Sequence, residues 1–319
     1  MMNVIFHGVR GSHPVADAEM INFGGNTSCV EIVKINDKGL KIPIIMDAGS
    51  GLIKYGYALA AKLFSGEYSK SFPMLFTHAH PDHTEGFTFF VPNFFPFCEI
   101  YVMGMEALKR HVGIVLKCKM SPPFYPIEYE DLKSKRIHHV LRDGDVFYIT
   151  QEGKPVRACE DPLFEVKVMQ AYAPSHPQQG ALYYRITDPV DGSSVACIWD
   201  IESHIGGDVR VINFAQKADI MIHDTQYSDE EYASMTTPVQ GFGHSTYSMA
   251  LENAEQANVK YLLPFHYNPR HRDNFLSEIE KKYTGKYKYG FIMSYEGLCL
   301  TLEKGQIVKS ERLQLGFGK

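Results

Sequence analysis

The sequence has no basic surplus. Its 319 residues include 32 Lys and Arg against 37 Asp and Glu, a formal net charge of −5. A chain that grips a long nucleic acid gains affinity largely by neutralising phosphates and usually carries a positive balance. The balance here argues against that partner. The six cysteines, Cys29, Cys98, Cys118, Cys159, Cys197 and Cys299, form no Cys-x-x-Cys pair. A chain of this length does not need disulfide staples, so reduced thiols are expected. No apolar run approaches the ~18 residues of a membrane span. The start, Met1-Met2-Asn3-Val4-Ile5-Phe6-His7, lacks the basic and apolar segments of a signal peptide. A cytoplasmic protein with no membrane partner is the expectation. Solenoid-length repeats, low-complexity tracts and Ser-, Pro- or Gly-rich linkers are missing too, so residues 1–319 read as one domain.

What is present is an ordinary globular composition, 45% hydrophobic and 13% aromatic. Asn3–His7, Ser28–Ile35 and Lys41–Met46 read as strands. Leu52, Tyr55, Leu59 and Leu63 fall near one face of a helix over Leu52–Phe64. Pro73–Thr77 is a short apolar strand. The aromatic stretch Phe87–Phe97 is broken by Pro92 and Pro96 and reads as core packing or a dimer contact, with a substrate-stacking surface as the alternative. A helix is expected over Met105–Lys117. Arg136–Leu141, Val146–Ile149, Phe164–Ala171, Ala181–Thr187 and Ser194–Trp199 form a β-rich middle, with a hairpin at Asp191-Gly192. The basic run Lys133, Lys135, Arg136, His138, His139 reads as a solvated helix end. Ile220–His223, a helix over Tyr247–Ala257 capped by Ser245 or Thr246, and Val259–Leu263 follow. Two β-rich halves with flanking helices predict an α/β fold of two sheets packed face to face and covered outside by helices.

The densest chemical signal is His78-Ala-His80-Pro-Asp82-His83. Imidazoles and carboxylates are the ligand set of a catalytic zinc or a similar ion. His78 and His80 are two apart, so an extended backbone points both the same way. Asp82 and His83 follow Pro81 and can turn toward a second position. Four donors in one turn exceed what a single catalytic metal takes from one segment.

The pattern His-x-His-x-Asp-His resembles the signature of the metallo-β-lactamase superfamily, whose fold is a four-layer αββα sandwich. The resemblance continues in Ala173-Pro-Ser-His-Pro177, Cys197-Ile-Trp-Asp200 and Leu263-Pro-Phe-His-Tyr267. It implies one metal on His78, His80 and His176, a second on Asp82, His83 and His266, and Asp200 bridging them. Asp82 counts among the catalytic groups as well. Asp47 matches the family's early aspartate, which braces the cluster loop from behind the ligands. The closer resemblance is to the phosphodiesterase branch that includes RNase Z and the cyclic phosphodiesterases. Ile222-His-Asp-Thr-Gln-Tyr227 and Gly243-His-Ser-Thr246 carry it, with Asp224 where RNase Z has glutamate. With Gly24-Gly-Asn-Thr-Ser-Cys29 and His176-Pro-Gln-Gln-Gly180 it covers nearly the whole chain and is similar to the group labelled phosphoribosyl cyclic phosphodiesterase-like. RNase Z's glycine- and proline-rich arm has no equivalent between His83 and His176.

The resemblance implies a phosphodiesterase that acts on a small, perhaps cyclic, diester through a metal-bridging hydroxide. Two divalent ions would serve it, zinc first, manganese or iron as alternatives. His244, held by Asp224, would protonate the departing alkoxide. An acyl hydrolase (lactonase, thioesterase or β-lactamase) on the same fold is the alternative, and a non-catalytic metal-binding protein is a third reading. A homodimer is left open. His7, His13, His111, His138, His139, His204, His223 and His271 read as surface or hydrogen-bonded residues. The glycines near Gly24 and Gly49 read as tight packing rather than a phosphate cradle.

Overall fold

The short β-rich runs pair into two eight-stranded sheets. The structure is a computed structural model that describes residues 1–107, 110–171, 180–288 and 290–316. In spatial order the first sheet runs Gln306–Arg312, Leu298–Glu303, Met2–Gly8, Cys29–Ile35, Lys41–Met46, Ser71–Leu75, Glu99–Gly104, Lys135–Val140. The second runs Pro155–Val156, Val146–Ile149, Phe164–Gln170, Leu182–Thr187, Ser194–Ile198, Ile220–Asp224, Tyr261–Phe265, Gly290–Phe291.

Burial of the strands' apolar sides drives the two sheets together. Val4, Ile32 and Ile44 of the first share one apolar cluster with Val166, Ile186 and Val195 of the second. On the outer face of the first sheet, Leu52, Tyr55, Leu59 and Leu63 of the helix Gly51–Phe64 pack on Ile5, Val33, Ile45 and Met74. The helices Val209–Phe214, Tyr247–Gln256 and Asp273–Tyr283 flank the second sheet and add Val211, Ala250, Ala254, Leu276 and Ile279 to its apolar cluster. Thr246 caps the middle one, its side chain accepting from the Met249 N–H. The architecture is the expected αββα sandwich. Covering both faces of a sheet changes what its strands contain. Cys29–Ile35 is buried at every residue except Ile35, so Glu31 lies under the helix instead of facing water.

Four strands in each sheet run parallel: Lys41–Met46, Ser71–Leu75, Glu99–Gly104 and Lys135–Val140 in the first, Ser194–Ile198, Ile220–Asp224, Tyr261–Phe265 and Gly290–Phe291 in the second. Parallel strands deliver their carboxyl ends to one edge, where open α/β sheets place their ligands. Asp47, residues 78–83, Asp200, Asp224 and His266 all lie at such ends.

Two expectations need correction. The helix expected over Met105–Lys117 is confined to Gly113–Lys119, and Glu106–Ala107 pairs with Arg110–His111 instead. A Cβ on Gly113 would lie 2.3 Å from the His138 ring, so the chain must pass close to the neighbouring strand there before it can coil. Four of the five residues of the basic run, all but Lys133, belong to the strand Lys135–Val140 at one end of the first sheet, not to a helix end. Charge on a terminal strand discourages further strand addition. In the aromatic stretch, Phe87 and Phe90 are fully buried and Phe94, Phe95 and Phe97 pack against the same cluster, while Phe89 is exposed. Among the described residues no helix is long and apolar enough to cross a membrane.

Candidate metal centre

Three of the expected site residues adopt left-handed backbone without being glycine: Asp47 (φ 56°), Asp200 (φ 58°) and His266 (φ 63°). Each stands just past the end of a parallel strand, at Met46, Ile198 and Phe265. A side chain in that conformation is unfavourable by itself and persists only where the surroundings fix it. Here the sharp turn aims each side chain back across the strand ends.

The result is a tight group. His83 Nε2 lies 3.2 Å from Asp82 Oδ2, 3.1 Å from Asp200 Oδ2 and 3.3 Å from His266 Nε2. His266 Nε2 is 3.2 Å from Asp82 Oδ2 and 3.3 Å from Asp200 Oδ2. All four residues are buried. Four donor atoms bound tetrahedrally at about 2.0–2.1 Å stand roughly 3.3 Å apart. The spacing therefore fits a divalent ion at the centre. Burial opposes charge on Asp82 and on Asp200, but the facing histidines outweigh it and hold both carboxyls well below their usual range. Burial also opposes charge on His83, yet Asp200, Asp82 and Asp47 raise its pKa well above the ordinary histidine value.

His78 and His80 flank this group. Their rings are 4.5 Å apart and nearly perpendicular, and His78 Nε2 lies 3.7 Å from Asp200 Oδ1. Asp200 thus turns one oxygen to each side. Burial lowers the pKa of both histidines, which favours the neutral form a metal needs. His176, the remaining expected ligand, lies outside the described residues.

Behind the donors sits Asp47. Its Oδ2 accepts from His83 Nδ1, Thr77 Oγ1 and Trp199 Nε1, each at 2.8 Å, and its Oδ1 accepts from the Thr77 N–H. This fixes the His83 ring so that Nε2 faces the group. Gly49 lets the loop close: a Cβ there would come within 2.2 Å of the Asp82 carbonyl oxygen.

Asp224 and His244 stand on the other side of His266. His244 Nδ1 is 2.8 Å from Asp224 Oδ2, and the His244 ring stacks on His266 with centroids 5.0 Å apart. Asp224 also accepts from the backbone N–H groups of Asp200, Gln226 and Ser245. That carboxylate ties the Asp200 turn, its own loop and the His244 segment together. His223 points the opposite way, to Asn253 Nδ2 at 3.0 Å. His7, His138 and His271 likewise have partners away from the group, at Glu31, Tyr129 and Glu231.

Four residues at or near the site were missed in the sequence. Ser12 donates its N–H to Asp82 Oδ2 at 2.7 Å. Trp199 holds Asp47. Gln226 follows Asp224 and places its side chain by Ser12. Arg10 is fully buried and donates to the carbonyls of Gly24, Asn268 and His271, clamping the loop after His266. The single tryptophan directly before Asp200 was the one available signal. The other three act through loop geometry that periodicity does not report.

No family model matches the chain. A stretch of 89 residues is 38% identical to a Ribonuclease Z of Thermoplasma acidophilum and covers 27% of this chain and 28% of that one. The chain thus spans under a third of that relative's length. Over nearly its whole length the chain resembles the metallo-β-lactamase fold protein YhfI of Bacillus subtilis, with a TM-score of 0.57, 17% identity and coverage of 93% and 98%. The chain has the metallo-β-lactamase fold. A diphosphatase from the PhnP family shares this fold with a TM-score of 0.58, 16% identity and coverage of 95% and 98%. The metallo-β-lactamase fold places the donor group where the two sheets' strand ends meet. Because the sequence relative is a ribonuclease by name, it lends no support to the expectation that nucleic acid is not a partner.

Proposed function

We propose that this chain is a metal-dependent hydrolase of phosphate diesters, acting on a small diester. The observation that carries the reading is the Asp224–His244 pair beside His266, placed to protonate a departing alkoxide and borne by the two segments that resemble the phosphodiesterase branch. His78, His80 and His176 would hold one divalent ion, Asp82, His83 and His266 a second, with Asp200 between them. Zinc suits the nitrogen and oxygen donors, as do manganese and iron. Such ions supply Lewis acidity, lowering the pKa of water and offsetting charge on phosphoryl oxygens.

The chain's own residues do the rest. Asp47 keeps His83 in one tautomer and orientation. Asp224 takes His244 Nδ1, so the ring acts through Nε2 and delivers a proton to the departing alkoxide. Ribonuclease Z and the PhnP-family diphosphatase carry names of enzymes that act on phosphate linkages, which supports phosphate over acyl chemistry.

The test is a panel of bis(p-nitrophenyl) phosphate, p-nitrophenyl phosphate, a lactone and a β-lactam, run with zinc, manganese and iron. The diester is expected to turn over far faster than the monoester, with two metals bound per chain. A lactone or β-lactam turned over at comparable kcat/KM would move the assignment to acyl hydrolysis.

A further inference from the structure

A cleft of about 310 Å³ opens beside the donor group. Its inner wall is Ser12, which donates to Asp82, and Gln226, which follows the Asp224 strand. Tyr227 forms one flank and meets the His244 ring edge-on, with centroids 5.9 Å apart. The cleft therefore borders the His244 ring as well as Asp82. Its outer wall includes Val239 and Phe242.

Phe242 is 58% exposed. With Val239 it gives the cleft an apolar wall beside the polar side chains of Ser12 and Gln226, the mix by which small-molecule sites combine apolar contact with a few orienting polar groups. The Phe242 backbone, by contrast, is pinned on both sides by one carboxylate. Glu202 Oε1 accepts from the Gly241 N–H at 2.8 Å and the Tyr232 hydroxyl at 2.7 Å, and Oε2 accepts from the Gly243 N–H at 2.9 Å. The backbone that carries the ring is thus held in place while the ring itself stays uncovered. Part of the ordering cost of stacking on it is therefore met before binding. The cleft has room for one nucleoside-sized group and not for a folded polymer.

We propose that this cleft receives the leaving group of the diester, and that this group carries an aromatic ring of nucleobase type stacked on Phe242. The inference rests on the phosphodiesterase reading for its chemistry, but the cleft can be tested without turnover. A stacked base is worth roughly 5- to 150-fold in binding. Phe242→Ala is expected to raise KM by that factor on a dinucleoside monophosphate, and to leave unchanged an analogue whose leaving nucleoside lacks its base. Phe242→Trp should preserve the preference, and its added emission should be quenched saturably by adenosine and not by ribose. Equal losses on both substrates in Phe242→Ala, or no quenching of Phe242→Trp by adenosine, would overturn the proposal. Quenching by adenosine in a metal-loaded protein that cleaves no diester would keep the cleft and sink the hydrolase reading.

Discussion

Two buried histidine–carboxylate pairs in this molecule look alike and do different work. His7 Nε2 lies 3.0 Å from Glu31 Oε2, and His244 Nδ1 lies 2.8 Å from Asp224 Oδ2. All four residues are at most 5% exposed. His7 and Glu31 sit within the antiparallel strands Met2–Gly8 and Cys29–Ile35, under the helix Gly51–Phe64, with His7 stacked on Tyr55 at 4.0 Å. Asp224 ends a parallel strand, and His244 stacks on His266. Position along the strand decides the difference. Inside a strand, under a helix, the pair is sealed in packing. At the carboxyl end it borders the cleft.

The comparison is broken or sharpened by mutation. The largest effect is expected at the strand end. His244→Ala should retain both metals and lose roughly 10²–10⁴ in rate on an alkyl or ribose diester, where the alkoxide needs a proton. It should lose little on bis(p-nitrophenyl) phosphate, whose leaving group is stable. Steady-state kinetics on both substrates with metal analysis checks this. Equal losses on the two would make His244 structural, like His7.

At the other pair the loss should be in stability. Burial opposes charge on Glu31, but His7 outweighs it and lowers its pKa, so Glu31 is ionised at neutral pH. Removing the partner of a buried charge costs roughly 3–5 kcal/mol. His7→Ala should therefore shift urea unfolding by that order while kcat of the metal-loaded, folded enzyme stays within about twofold of the original. A large kcat loss with unchanged stability would reverse the contrast.

The smallest effect concerns a histidine outside both pairs. Burial first, then His111 and Arg136, push His138 down to about 4. The fold therefore prefers neutral His138, and between about 4 and the ordinary value near 6.5 the unfolded chain binds more protons. Stability from this site is complete above pH 6.5 and falls as pH drops toward 4. Because His138 is only half-buried, the slope is shallow. His138→Gln should flatten it in denaturation curves at pH 4.5 and 7, and an unchanged slope would remove His138 from the acid response.

Much of this was legible in the sequence because the candidate donor residues cluster where strands end. The run 78–83 follows an apolar strand, and Asp200, Asp224 and His266 each close one, so strand reading and chemical reading agreed at the same residues. Sequence order did not reveal how far apart in space two such residues lie, and only packing brings His83 and His266 within 3.3 Å. Ser12 was invisible because it acts through a backbone N–H, which any residue type supplies. The burial of Glu31 was not legible because alternation along Ser28–Ile35 does not announce a helix laid over the sheet. The helix expected over 105–117 failed at its start because a close contact between Gly113 and His138 overrides local pattern.

Trp199 gives the centre an optical handle. It is the only tryptophan among 319 residues, is fully buried, and shares the Asp47 oxygen that fixes His83. A change of charge at His83 reaches the indole N–H through one shared carboxylate. Emission excited selectively at tryptophan is therefore a local gauge of the donor group, not an average over the fold.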